Sequence, residues 1–160
     1  MEQIKTKSVL NLIMLFSFFA IGSAYFIEHV LGHKPCNLCF IERIPYLLSI
    51  IIIILTLVLK KFEKTVLALL SMIFMFGTIV SFYHFGIEQG FFSESLVCSL
   101  EKNISNLSKM EILEQLKQTT GSCKDVTFRI FGLSLASINT IISLILSVIT
   151  MKLFLNYEKN

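Results

Sequence analysis

Residues 35–59 read PCNLCFIERIPYLLSIIIIILTLVL, a cysteine pair and an arginine followed by an uncharged run from Ile44 to Leu59. The isoleucines from Ile50 to Ile54 are β-branched and would favour a strand in water. In lipid, every backbone N–H and C=O has to be paired within its own segment, so the run is expected to be a helix. Three more stretches pass the length test for a membrane span, roughly 17–25 predominantly apolar residues. The four expected spans are about 9–30, 44–59, 65–86 and 130–155, with loops at about 31–43 and 87–129.

Composition agrees. The 160 residues are 54% hydrophobic and 16% charged, against about 45–50% and 25% for a soluble domain. Mean hydropathy is +0.76. A net charge of +3 is too small to indicate a nucleic-acid partner. The first apolar stretch is longer than the roughly 7–15 residues of a signal-peptide core, so it is expected to stay attached. The fold expected is one all-α membrane domain over 1–160, a four-helix bundle.

Four spans place both ends on one side. Lys60, Lys61 and Lys64 mark a short basic turn, and Lys5, Lys7, Lys152 and Lys159 flank the ends. In the other loops the basic residues are diluted among Glu94, Glu101, Glu111, Glu114 and Asp125. Positive-inside reasoning makes the termini cytoplasmic. All four cysteines then face the opposite compartment, the periplasm of a bacterium, where disulfides persist.

The first loop holds Cys36-x-x-Cys39, a spacing typical of thiol–disulfide exchange. Gly32 and Pro35 end the first helix, and the pair opens the second. Cys39 and Arg43 are four apart, so on a helix they share one face. That makes Cys39 the expected activated sulfur, with Arg43 as its electrostatic partner. A structural disulfide or half a zinc site is the alternative, with Cys98 and Cys123 as further zinc ligands. The separation of those two and the oxidising compartment favour redox chemistry, so no metal is expected.

Cys98 and Cys123 lie near the ends of the long polar loop. Between them Ile104, Leu107, Met110, Leu113 and Leu116 recur at helical spacing, which predicts a short amphipathic helix on the membrane surface. A structural disulfide closing this loop would contribute about 2–4 kcal/mol. It would not account for a second pair beside an arginine in the neighbouring loop. His84 and Glu88 lie one turn apart at the outer end of the third span, where ionisable groups invite a functional explanation. Together they predict a polar rim around a lipophilic cofactor. Glu28 and His29 at matching depth are read as interfacial, and Asn139, Ser134 and Ser137 as helix-packing residues.

These residues resemble the disulfide bond formation protein B (DsbB) family of quinone-dependent thiol oxidases over essentially the whole chain. The resemblance is carried by His29 to Arg43 with Lys34-Pro35-Cys36-x-x-Cys39-x-x-Glu42-Arg43. Tyr83-His84 with Glu88, the Cys98 and Cys123 pair, and Phe131-Gly132-Leu133-Ser134 add to it. The family often has an aromatic residue before its last span, here Phe128, and Trp is absent from this chain.

The resemblance implies a bacterial inner-membrane enzyme that re-oxidises a periplasmic, thioredoxin-fold DsbA-like protein. Cys98 would be attacked by the partner's thiol, and Cys123 would then attack Cys36. Cys39 would pass electrons to ubiquinone or menaquinone beside Arg43 and His84. A partner near −120 mV is itself a strong oxidant, and each 30 mV corresponds to about 1.4 kcal/mol, so a still stronger sink is required. The respiratory quinone pool would be that sink. A vitamin K epoxide reductase-like oxidase places its C-x-x-C late in the chain, which disfavours that rival. A non-enzymatic membrane protein with two structural disulfides differs in keeping both pairs oxidised when quinone is depleted.

Overall fold

The computed structural model describes residues 2–59, 63–93, 98, 123, 124, 126, 128–130 and 132–158. Its elements are α1 (Glu2–His29), α2 (Asn37–Ile41), α3 (Ile44–Leu59), α4 (Glu63–Glu88), β1 (Arg129–Ile130), β2 (Leu133–Ser134) and α5 (Leu135–Glu158). Four helical stretches are long and apolar enough to cross a bilayer: Thr6–His29, Asn37–Leu59, Glu63–Glu88 and Leu135–Tyr157. The expected all-α, four-span architecture is the one observed, and the chain is a multi-pass membrane protein.

The boundaries differ in instructive places. The last helix was expected from about 130 but starts at Leu135. Ahead of it Arg129 pairs with Ser134 and Ile130 with Leu133 in a small antiparallel hairpin. Gly132 makes the turn at φ 84, a conformation that costs glycine little. Ser134 then caps α5, its Oγ accepting the Ser137 N–H at 3.2 Å. Apolar content could not separate this hairpin from the helix because Ile130 and Leu133 are themselves apolar. At the second span, helix begins at Asn37 and steps at Glu42–Arg43 before α3. Pro45 has no N–H to give to the preceding turn, which accounts for the step. The expected surface helix between Cys98 and Cys123 lies outside the described residues, as do Lys60 to Phe62.

The surface is as apolar as the interior. Leu15, Phe19, Val58, Met72 and Ile79 point outward, while Leu10, Ile53, Leu67, Leu70 and Phe74 fill the core. Lipid is as apolar as leucine, so packing and polar contacts hold such helices together. Ser17 Oγ and Ser49 Oγ lie 2.9 Å apart between α1 and α3. Ser147 donates to the Ser71 carbonyl at 3.2 Å, and Ser71 donates back to the Ser147 carbonyl at 3.5 Å. α1 packs on α3, α3 on α4, and α4 along most of α5, whereas the α1 and α5 backbones scarcely approach each other.

α4 ends in a Schellman turn. The Phe91 N–H reaches the Gly86 carbonyl at 2.8 Å and the Gly90 N–H reaches that of Ile87 at 3.0 Å. Gly90 supplies the left-handed residue, φ 79. At the centre of the bundle, a Cβ on Gly77 would lie 3.1 Å from Pro45 Cγ and 3.4 Å from Ser143 Oγ. Gly77 therefore sets how closely α3, α4 and α5 meet. Gly77→Leu is expected to lower stability by about 1–3 kcal/mol through overpacking, measured by unfolding in detergent. Gly22→Ala, where no described residue lies within 4 Å of the new Cβ, is expected to leave it unchanged or slightly raised.

Candidate functional site

Cys36 is the N-cap of α2 in extended conformation, and its sulfur accepts the Cys39 N–H at 3.2 Å. Cys36 is buried and Cys39 half-buried, both as free thiols. His84, one turn before the end of α4, brings Nε2 to 3.5 Å from Cys36 Sγ. The two sulfurs and a ring nitrogen of His84 all lie within 4.8 Å of one another. The hydrogen bond with the Cys39 thiol, followed by those from the Cys39 and Leu38 backbones, holds the Cys36 thiol below its ordinary value of 9.0. Burial and the charge of Glu42 act the other way and are outweighed.

The thiolate-favouring contacts thus converge on Cys36, where the sequence pointed to Cys39. Arg43 was expected as the electrostatic partner of Cys39; the helix steps at Glu42–Arg43, and the hydrogen bond of Arg43 goes to another group. Arg43 Nη1 instead donates to Glu28 Oε2 at 2.8 Å. The guanidinium also lies over the rings of Phe40, 4.9 Å, and Tyr25, 5.2 Å. Glu28, read as interfacial, is therefore the partner of Arg43. His29 contacts the Tyr25 carbonyl within its own helix, 3.2 Å away.

Glu42 was not singled out from the sequence, although it stands within the motif that carries the resemblance. Its Oε1 meets His84 Nδ1 at 2.7 Å and its Oε2 accepts from Asn139 Nδ2 at 2.9 Å. Asn139 Nδ2 also reaches Ser81 Oγ at 2.7 Å, and its Oδ1 accepts from the Tyr46 hydroxyl. The network ties α3, α4 and α5 together around a buried carboxylate. Asn139, expected to pack helices, does so as a member of it. The signal available in the sequence was an acid at the lipid edge, which carries the same functional suspicion as His84 and Glu88. Glu88 Oε1 lies 3.8 Å from His84 Nε2.

The two cysteine pairs meet. Cys98 and Cys123 form a disulfide, and Cys123 shares a buried cluster with Cys36, Leu38 and Ile87. The rings of His33 and Phe128, 5.2 Å apart, bring the first loop against the strand end of the second. In the gap between α1 and α5 lies a cavity of about 350 Å³. Phe19, Ala24 and Ile27 of α1 and Ile138 and Ile142 of α5 line its apolar part. Cys36, Cys39, Arg43, His84, Glu88 and Cys123 line its polar end. The size falls in the range of about 300–1,000 Å³ usual for small-molecule sites.

Comparison with known proteins gives three findings. The family model "Disulfide bond formation protein DsbB" matches residues 6–153. "Uncharacterized protein RP370" of Rickettsia prowazekii (strain Madrid E) is 31% identical over 155 residues, 95% of this chain and 90% of the relative. "SPbeta prophage-derived disulfide bond formation protein B" of Bacillus subtilis (strain 168) is 36% identical over 108 residues, 66% of this chain and 68% of the relative. No solved structure matches the chain.

Glu42→Gln keeps the shape but puts an amide where two acceptor oxygens are needed. It is expected to destabilise the bundle by about 1–3 kcal/mol, the usual consequence of an unpaired buried polar group, as read by thermal unfolding in detergent. Lowering of the Cys36 thiol has a second consequence. In protein with Cys98 and Cys123 replaced by Ser and the remaining pair reduced, alkylation of Cys36 is expected to reach half its maximal rate below pH 9.0. The rate should rise with pH as thiolate forms, and mass spectrometry of the labelled peptide follows it.

Proposed function

The chain belongs to the DsbB family of membrane disulfide-bond-formation oxidoreductases, and from that premise we propose that it is a protein-dithiol:quinone oxidoreductase. In this reading it re-oxidises a periplasmic, thioredoxin-fold DsbA-like partner. The termini lie in the cytoplasm, the cysteines face the periplasm, and the ultimate acceptor is ubiquinone or menaquinone. The observation that carries the reading is the junction of both cysteine pairs with a cavity that is apolar on one side and ionisable on the other.

Electrons and bonds balance as follows. A thiolate of the reduced partner attacks Cys98 in the Cys98–Cys123 disulfide, giving a mixed disulfide and releasing Cys123. The partner's second thiol resolves the mixed disulfide and leaves oxidised. Cys123 attacks Cys36 in a Cys36–Cys39 disulfide, releasing Cys39. Cys98 then attacks Cys123, restoring the loop disulfide and leaving Cys36 and Cys39 reduced. One partner dithiol has been oxidised and one C-x-x-C reduced. The burial of Cys123 beside Cys36 supports the inter-loop step. The combination of a closed Cys98–Cys123 bond with free Cys36 and Cys39 matches the last stage of this sequence.

A bound quinone would accept the two electrons and two protons, allowing Cys36 and Cys39 to close again. The residues fit such a group. The walls from α1 and α5 suit a hydrocarbon tail arriving from lipid, and the polar end offers donors for ring oxygens. Arg43, fixed by Glu28 and two aromatic faces, places its guanidinium donors there. His84, oriented by Glu42, lies 3.5 Å from the Cys36 sulfur at the polar end of the cavity and can hold or move a proton at Nε2. The half-buried Cys39 is the sulfur assigned to face the acceptor, with Cys36 exchanging with Cys123.

The test is purified protein with a quinone and a reduced thioredoxin-fold protein, followed by quinone absorbance. Wild type is expected to reduce quinone, Cys39→Ser to lose turnover, and Arg43→Ala to require more quinone while still folded. Turnover in Cys39→Ser at the wild-type rate, or labelling of the cysteines from the cytoplasmic side, would overturn the reading.

A further inference from the structure

We propose that the reduced form of this site is also a binding site for one thiophilic divalent cation, Zn²⁺, held by Cys36, Cys39, His84 and Glu88. The sequence had offered Cys98 and Cys123 as the remaining zinc ligands, but these are joined to each other. The structure supplies a different pair. Zn–S bonds of about 2.3 Å and Zn–N bonds of about 2.0–2.1 Å at a tetrahedral angle separate the two ligand atoms by roughly 3.6 Å. Cys36 Sγ and His84 Nε2 stand 3.5 Å apart. All three donors from the two cysteines and the histidine lie within 4.8 Å of one another, so modest side-chain movement closes the set around one ion.

Two observations independent of that spacing point the same way. Glu42 Oε1 sits 2.7 Å from His84 Nδ1, an arrangement that keeps the proton on Nδ1 and turns the Nε2 lone pair toward the sulfurs. A carboxylate behind a ligating histidine is the usual outer support of a zinc site. The second is Glu88. Its side chain is only 6% exposed, it lines the same cavity, and Oε1 lies 3.8 Å from Nε2. Its Oε2 is buried without a hydrogen-bond partner among the described residues. An orphaned carboxylate oxygen beside the imidazole has the chemistry of a fourth ligand, which a side-chain rotation would add to the three donors already grouped. Soft sulfur donors select zinc and its heavier congener over calcium or magnesium.

The site exists only when both sulfurs are free, because a Cys36–Cys39 disulfide removes two of the four ligands. Binding is thus gated by redox state. It follows from ligand geometry alone. The further consequence, that an occupied site halts electron transfer, rests on the oxidoreductase reading because the same sulfurs would carry the electrons.

The experiment uses the full chain in detergent, with Cys98 and Cys123 replaced by Ser so that only one thiol pair remains. The reduced, metal-free protein is titrated with Zn²⁺ against a chromophoric chelator, and with Cd²⁺ to read the sulfur-to-metal absorption band. One ion per chain is expected in the reduced form and none after the pair is oxidised. His84→Ala and Cys36→Ser are expected to abolish stoichiometric binding. Glu42→Gln is expected to weaken it about 10–100-fold, the usual effect of removing the support behind a ligand. Glu88→Gln is expected to weaken it as well, and the unfolding midpoint of each variant separates loss of a ligand from loss of the fold. Equal binding by oxidised protein, or by a folded His84→Ala variant, would overturn the proposal. Metal-free protein assayed for quinone reduction tests the oxidoreductase reading separately.

Discussion

A carboxylate at the edge of a hydrocarbon bundle is stabilised when its oxygens are satisfied, and Glu42 meets that condition with His84 and Asn139. The pairing fixes more than itself. It orients the imidazole toward Cys36, draws α5 onto α4 through Asn139 and Ser81, and places Tyr46 beneath the site. Burying such a group unpaired would be strongly unfavourable. The network therefore specifies one arrangement of three helices, whereas their apolar surfaces, facing lipid as readily as each other, specify little.

Around that anchor, polarity is distributed unevenly. The core below it is Leu, Ile and Phe with serines hydrogen-bonded across helices. Above it lie two loops, each with a cysteine pair, brought together at Cys36 and Cys123. To one side α1 stands away from α5 and leaves a cavity reaching the ionisable groups. A lipid-borne reactant and a water-borne one would thus approach a common set of sulfurs from different directions. Arg43 contributes a guanidinium held by Glu28 and two rings.

Some assignments changed when the chain was seen folded. Cys39 with Arg43 was a reasonable pair from their spacing, and in the fold the hydrogen bond of Arg43 goes to Glu28. Hydrogen bonds then gather at Cys36. Glu28 passed for an interfacial acid because its partner is fifteen residues away, and no periodicity links the two. Glu42 was overlooked for a similar reason. Its partners His84 and Asn139 are 42 and 97 residues distant.

What the sequence determined by itself is the class of molecule and its spans. Apolar runs of sufficient length must become helices where no water can pair the backbone. It also gave the chemistry available, since C-x-x-C, a second cysteine pair, Arg43, His84 and Glu88 are visible as residue types at telling places. Only the tertiary structure decided which of them act on one another. Hydrogen bonds and ligand distances depend on contacts between helices far apart in the chain, and a shift of one turn or a single proline step redirects them.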